Sequence, residues 1–250
     1  MIKKLLHAIQ YIKFYLSASN SKGHGTHSPL VYHFITEILN DTRNFYAYQD
    51  IDIVKKQLLS DNRKLNFLGK ETSVASFMKE AIPTKYNKLL FRMVAYYKPN
   101  YIIEVGSSLG ITTAYLASPE KRNLVQTIET NLELGVIASE TLSSLALPNT
   151  TQSKGSLKEV VSKLSERTFG FILINHANWE SEELAQHLLD FVEEDAIVIF
   201  VEINKNLQTK LFWDNLIYQQ NKTISVTLFY FGIIFLKKEV LKKQQFTIRF

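Results

Sequence analysis

From Asn100 onward, short apolar runs alternate with amphipathic stretches, and this alternation leaves few folds open. The runs are Tyr101–Val105, Leu124–Glu129, a weaker one near 150–153, Phe171–Ile174 and Ala196–Glu202. The stretches that follow them are 111–118, 131–146, 156–164, 181–193 and 206–220. A strand covered on both faces reads as a near-continuous apolar run, and joining it to a parallel neighbour takes a crossover long enough for a helix. The pattern therefore predicts an α/β fold, a parallel sheet with helices on both faces. The chain closes differently. Between Thr223–Phe229 and Phe231–Leu236 there is no room for a crossover helix, so these two runs are expected to pair as an antiparallel hairpin.

The first third reads as helix. Ile2, Leu5, Leu6, Ile9, Ile12 and Leu16 recur at spacings of three and four and share one apolar face. Residues 20–27, which include His24 and His27 about a glycine, break that pattern. Ser28-Pro29 then reads as an N-cap with proline at the first helical position, opening a helix to about Leu39. Further helices are expected near 51–60, 71–81 and 84–97, the last ended by Pro99. The expected organisation is a helical region over 1–98 and a sheet domain over 99–250.

Composition removes several chemistries. The chain has no cysteine, which excludes disulfides, thiolate nucleophiles and cysteine-ligated zinc. The net charge of +5 comes from scattered lysines; the densest group, Lys237, Lys238, Lys242 and Lys243, has no interleaved aromatics, so no nucleic-acid partner is expected. Met1–Leu6 begins like a signal peptide, but His7, Gln10 and Lys13 interrupt it and no cleavage site follows. No apolar stretch reaches the ~18 residues of a membrane span. A soluble cytoplasmic protein with no membrane partner is the expectation.

The segment Glu104-Val105-Gly106-Ser107-Ser108-Leu109-Gly110 leaves the first strand and opens a helix. Glycine lets the backbone turn sharply and approach a ligand, and a helix start offers unpaired N–H groups. A glycine pair after a strand is also simply a tight turn. Two carboxylates sharpen the reading: Glu104 just before the first glycine, and Glu129 at the end of the next strand, where an acid can accept ribose hydroxyls.

These residues resemble the class I S-adenosylmethionine-dependent methyltransferases, and within them the small bacterial O-methyltransferases related to the catechol O-methyltransferase family. The resemblance covers about 85–250. His24–Tyr32 and the tail Gln245–Arg249 also resemble a bacterial branch of that class. It implies a Rossmann-like methyltransferase sheet with S-adenosylmethionine as cofactor and a small-molecule methyl acceptor. Glu104, Gly106, Ser107, Ser108 and Gly110 are then expected at the methionine end, with Thr112 bonding its carboxylate or amino group. Glu129 is expected at the ribose, Gly155-Ser156 at the adenine, and Asn175-His176 beside the sulfonium and acceptor. Read without the resemblance, Thr112 satisfies a carbonyl one turn back, Ser156 caps a helix and Glu104 is a solvated strand end.

The sequence departs from the catechol-type pattern where that branch holds a divalent metal. Asn175 stands in place of an aspartate, and Phe200-Val201-Glu202-Ile203-Asn204 in place of an acidic pair or Asp-Asn. One carboxylate and two amides are a poor magnesium site, so no metal is expected. His176 and Glu202 remain as candidate bases, His176 also reading as a polar loop histidine and Glu202 as the partner of a lysine such as Lys205. Asn178-Trp179 supplies either an acceptor wall or a helix dock. The homodimer is an open expectation, with the N-terminal helices covering the cleft or forming the contact.

Rival readings are weaker. Tyr218–Lys222 matches the Tyr-x-x-x-Lys pair of short-chain NAD(P)-dependent oxidoreductases, but no nicotinamide-type glycine turn opens the chain. Asn175-His176-Ala177-Asn178 lacks the prolines and aromatic of a base-flipping methyltransferase box. A non-catalytic protein that keeps the fold and the cofactor is favoured by the missing carboxylates and opposed by the intact turn.

Overall fold

A computed structural model describes residues 2–19 (backbone alone for 2–7), 21, 27–154, 168–175, 191–220, 223–238 and 240–250. The chain opens with α1 (Ile2–Ser17), α2 (Pro29–His33), a π-helical stretch Phe34–Leu39, α3 (Tyr46–Leu59), β1 (Lys64–Phe67), β2 (Lys70–Ser73), α4 (Val74–Lys79) and α5 (Thr84–Tyr97). Then come β3 (Tyr101–Val105), α6 (Ile111–Ala117), β4 (Leu124–Glu129), α7 (Leu132–Ser144) and β5 (Thr150–Lys154). The rest is β6 (Phe169–Ile174), β7 (Val192–Val201), α8 (Leu207–Gln219), β8 (Thr223–Thr227), β9 (Phe231–Leu236) and β10 (Gln244–Thr247). Two compact units result, one of residues 42–169 and one of 1–41 with 170–250.

In the unit 42–169, β3, β4 and β5 are neighbours in that order and all parallel. Helices α3 to α7 bury a shared cluster that includes Tyr48, Ile51, Phe91, Tyr115 and Leu134. The aromatic rings meet edge-on, Tyr48 and Phe91 at 4.9 Å, an arrangement that adds to the area they bury. Lys98 ends α5 in a left-handed conformation (φ 48°) just ahead of Pro99.

One element of this unit is not expected from sequence. Residues 64–73 form a hairpin, and α4 is confined to Val74–Lys79 although a helix from 71 is predicted. Leu68 and Gly69 both have positive φ, 51° and 74°, the backbone of a two-residue I′ turn whose twist matches paired strands. Ser73 then caps α4 by accepting from the Ser76 N–H at 3.1 Å.

In the unit 1–41 with 170–250 the strand order is β10-β8-β9-β7-β6. β9 is antiparallel to both β7 and β8, which is the expected closing hairpin. The tail adds β10, parallel to β8, and Ser19 just past α1 bonds it in turn, its N–H to the Thr247 carbonyl at 2.9 Å and its carbonyl to the Arg249 N–H at 3.0 Å. Ser28 holds the N-cap position of α2 with proline following, but its side chain makes no cap bond; its carbonyl accepts the first helical N–H from Tyr32 at 2.9 Å.

Helix α8 lies on this hairpin through Trp213, whose Nε1 donates to Thr227 Oγ1 at 3.0 Å. A Cβ on Gly232 would stand 2.6 Å from the Trp213 ring, so only glycine lets the indole lie on β9. Gly232→Ala should therefore lower the unfolding free energy by about 1–3 kcal/mol, the usual cost of overpacking. Urea denaturation measures it, and a Trp213→Leu background, which vacates the space, should shrink the loss.

Candidate functional site

The residues after β3 take an uncommon backbone path. Gly106 (φ 88°), Ser108 (φ 55°) and Gly110 (φ 82°) are all left-handed, and two glycines make that affordable in conformational energy. Gly110 has a second reason: a Cβ there would stand 3.0 Å from the backbone of Ala138 in α7. The Gly106 N–H donates to the Ile128 carbonyl at 2.8 Å and the Gly110 N–H to the Ser107 carbonyl at 2.9 Å, so β4 and the turn itself hold this path.

Glu129, at the end of β4, completes the support. Its Oε2 accepts the Ser108 N–H at 2.8 Å and its Oε1 the Asn131 N–H at 2.9 Å. Burial raises its pKa above the ordinary carboxylate range, while the N–H groups of Asn131, Ser108 and Thr130 oppose the shift by stabilising the anion. Ser107 is 1% exposed, and its Oγ has no hydrogen-bond partner among the described residues.

Glu104 and Thr112 are placed one layer further in. Glu104 is 1% exposed, accepts a hydrogen bond from Thr113 of α6, and stands opposite Thr127 in the β3–β4 ladder. Burial pushes its carboxyl up to about 8; Thr113 and Thr127 counter this, and nearby Glu129 adds a little. It is thus a buried support beneath the turn and not a solvated strand end. Thr112 donates to Asn87 Oδ1 of α5 at 3.1 Å, and Asn87 in turn donates to the Ile82 carbonyl at 3.1 Å.

The other candidates lie in the unit 1–41 with 170–250. Asn175 follows β6 and is half-buried. Glu202 follows β7 in a left-handed conformation (φ 60°), with Oε2 2.7 Å from Lys205 Nζ and Oε1 accepting from the Tyr230 hydroxyl at 3.1 Å. The lysine pairing weighed from sequence is thus present. Asn204 Nδ2 donates to the Phe229 carbonyl at 2.8 Å, and Glu202, Asn204, Lys205, Phe229 and Tyr230 line a small hollow of about 30 Å³. Tyr218 of the rejected oxidoreductase pair is exposed, with Lys243 Nζ 5.1 Å over its ring. His24, Gly155, Ser156, His176, Asn178 and Trp179 lie outside the described residues, and His27 is exposed.

The sequence matches no protein-family model and no curated protein. The structure is similar to an O-methyltransferase from Bacillus cereus solved with SAH, with TM-score 0.61 and 15% identity over 83% of this chain and 96% of that one. It is also similar to an O-methyltransferase of Streptomyces achromogenes involved in tomaymycin synthesis and solved with SAM, with TM-score 0.57 and 13% identity over 83% and 95%. A third is an SAH-bound methyltransferase from Podospora anserina, with TM-score 0.54 and 10% identity over 79% and 100%. The fold is the Rossmann-like methyltransferase fold.

Two residues of this methyltransferase fold escape sequence reasoning. Asn131 caps α7 by accepting from the Glu133 and Leu134 N–H groups at 3.0 and 3.1 Å, while its Nδ2 donates to the Asn66 carbonyl in β1 at 2.8 Å. Its signal was local, an asparagine ahead of an acidic first helical turn. Asn87 had none, since its partner Thr112 is 25 residues away in the chain.

Glu104 makes a pH prediction. An unfolded glutamate loses its proton in the ordinary carboxylate range, whereas folded Glu104 keeps it to about 8. Between those limits the folded state holds the extra proton, so this group's contribution is full at low pH and declines as pH rises toward 8. The decline is at most about 1.4 kcal/mol per pH unit. Urea unfolding at a series of pH values should show Glu104→Gln flattening the slope; equal slopes for the two proteins would refute the assignment.

Proposed function

We propose that the protein is an S-adenosylmethionine-dependent methyltransferase acting on an oxygen of a small-molecule acceptor, without a metal. The carrying observation is the Ser107 hydroxyl, buried without a partner in a left-handed turn beside a strand-end carboxylate. An unsatisfied buried hydroxyl costs about 1–3 kcal/mol, which a bound polar atom recovers. Glu129 fits the ribose: Oε2 accepts the Ser108 N–H and Oε1 the Asn131 N–H, and a carboxylate has further lone pairs that a hydroxyl can use. Similarly folded O-methyltransferases have been solved with SAM or SAH, which supports the same ligand here.

When bound, the cofactor supplies an electrophilic methyl on a sulfonium. The protein's part is to align donor and acceptor and to make the acceptor oxygen nucleophilic. In this reading Gly106, Ser108 and Gly110 set the backbone path while Ser107 and Glu129 bind. Glu104 supports the turn from beneath, and Thr112, its proton committed to Asn87, can only accept, so it suits the ammonium better than the carboxylate. Ser156 borders the adenine and Asn175 the sulfonium.

Metal independence rests on the donor set. Asn175 and Asn204 are neutral, and both oxygens of Glu202 are engaged by Lys205 and Tyr230. In this reading one carboxylate and two amides stand where the catechol-type branch holds its metal. With Glu202 so engaged, His176 is the proposed base.

Ser107→Ala separates a ligand contact from a structural one. Deleting the orphan hydroxyl should leave the unliganded protein at least as stable, while calorimetry should show SAH affinity falling about five- to tenfold, the worth of one hydrogen bond. No heat and no thermal shift with SAM or SAH in the wild type would refute the cofactor. Given binding, a metabolite extract screened with labelled cofactor tests for an acceptor. Turnover should survive EDTA and fall with His176→Ala; magnesium-restored activity would overturn the metal-free mechanism, and binding without any acceptor would favour the non-catalytic reading.

A further inference from the structure

Among the described residues, helix α1 is held on one side. Its Tyr11 and Phe14 rings meet Phe229 at 4.9 and 5.5 Å, and Arg249 lies 4.4 Å over the Tyr15 ring. At about 100° per residue, Ile9, Ile12 and Leu16 fall about 160° around the helix from Tyr11 and Phe14. They are exposed accordingly: 41% for Ile9, 57% for Ile12 and 74% for Leu16. In the sequence the same spacing continues back through Ile2 and Leu5.

The charge of the segment that carries this stripe has one sign. Residues 1–36 contain Lys3, Lys4, Lys13 and Lys22 and no Asp or Glu; the first carboxylate is Glu37. A second α1 packed on the stripe would bring lysine against lysine with no acid to pair them. No described helix is long and apolar enough to cross a membrane. An exposed apolar stripe with Lys13 about 70° around the helix from it, in a segment of uniformly positive charge, is instead what a helix needs to lie in the plane of an anionic lipid surface. From these observations, which do not depend on methyl transfer, we propose that the uncovered face of α1 docks the protein peripherally on an anionic bilayer. The sequence argued against a spanning segment and so gave no reason to expect a membrane partner. The direction in which Ile9, Ile12 and Leu16 point supplies one.

The test is co-sedimentation of the full chain with vesicles of phosphatidylcholine, with and without phosphatidylglycerol. The protein should pellet with the anionic vesicles at low salt, be released at high salt as the lysines are screened, and ignore the neutral ones. Ile12→Asp combined with Leu16→Asp should weaken binding by about tenfold or more. Lys13→Glu should weaken it too, while far-UV circular dichroism stays unchanged. If the paired aspartates perturb the helix, Ile12→Ser with Leu16→Ser makes the same comparison. Wild-type protein left in the supernatant with anionic vesicles overturns the proposal, and so does undiminished pelleting of the variants. A solution dimer that the same substitutions dissolve, with no vesicle binding, overturns it in favour of a second copy of the chain.

Discussion

The carboxylate of Glu129 takes one N–H from the glycine turn and one from the start of α7. Those charge-assisted bonds let a backbone with three left-handed residues persist where solvent would otherwise compete for its amides. The chain of support continues outward. Asn131, whose N–H Glu129 accepts, caps α7 and reaches the β1–β2 hairpin, and Arg63 just before that hairpin forms a fork on Glu140 of α7 with contacts of 3.1 and 2.8 Å. The hairpin is therefore tied to the helix whose N-terminus braces the turn.

Burial acts on both acids beside the glycine turn in the unit 42–169. Glu104, shielded beneath α6, is pushed toward the protonated form and works as a hydrogen-bonding support. Glu129 is also buried, but it has backbone donors on both oxygens to stabilise charge. Glu202 sits at a strand end in a lysine pair with a tyrosine hydroxyl on its second oxygen, an arrangement that orders the loop after β7. Burial raises the pKa of both Glu104 and Glu129, and the two differ in the donors that oppose it, hydroxyls for Glu104 and backbone N–H groups for Glu129.

The strands of the sheet were legible because burial on both faces demands unbroken apolar runs such as Phe171–Ile174, all fully buried. Lys64–Phe67 and Lys70–Ser73 were not, since each is short and largely exposed; Gly69 was their one local signal, and it reads equally well as a helix break. β10 hid for the same reason, a polar tail whose partners, β8 and Ser19, are distant in the chain. Within the site, glycine spacing and the strand-end acids marked the turn. Which hydroxyl is satisfied and which is left over could not be read, because Thr112 finds Asn87 across two helices while Ser107, five residues earlier, finds no partner among the described residues.

The bridge between Ser19 and the last strand has a consequence for synthesis. One compact unit, 42–169, is a single continuous stretch of chain and has all its residues before the C-terminal third is made. The other joins segments far apart in the chain, and Ser19 meets Thr247 and Arg249 only once both segments have been made. Until then the end of α1 lacks the strand that bonds Ser19. The unit that contains α1 therefore closes later than the continuous one, because its two segments are separated by the whole of residues 42–169.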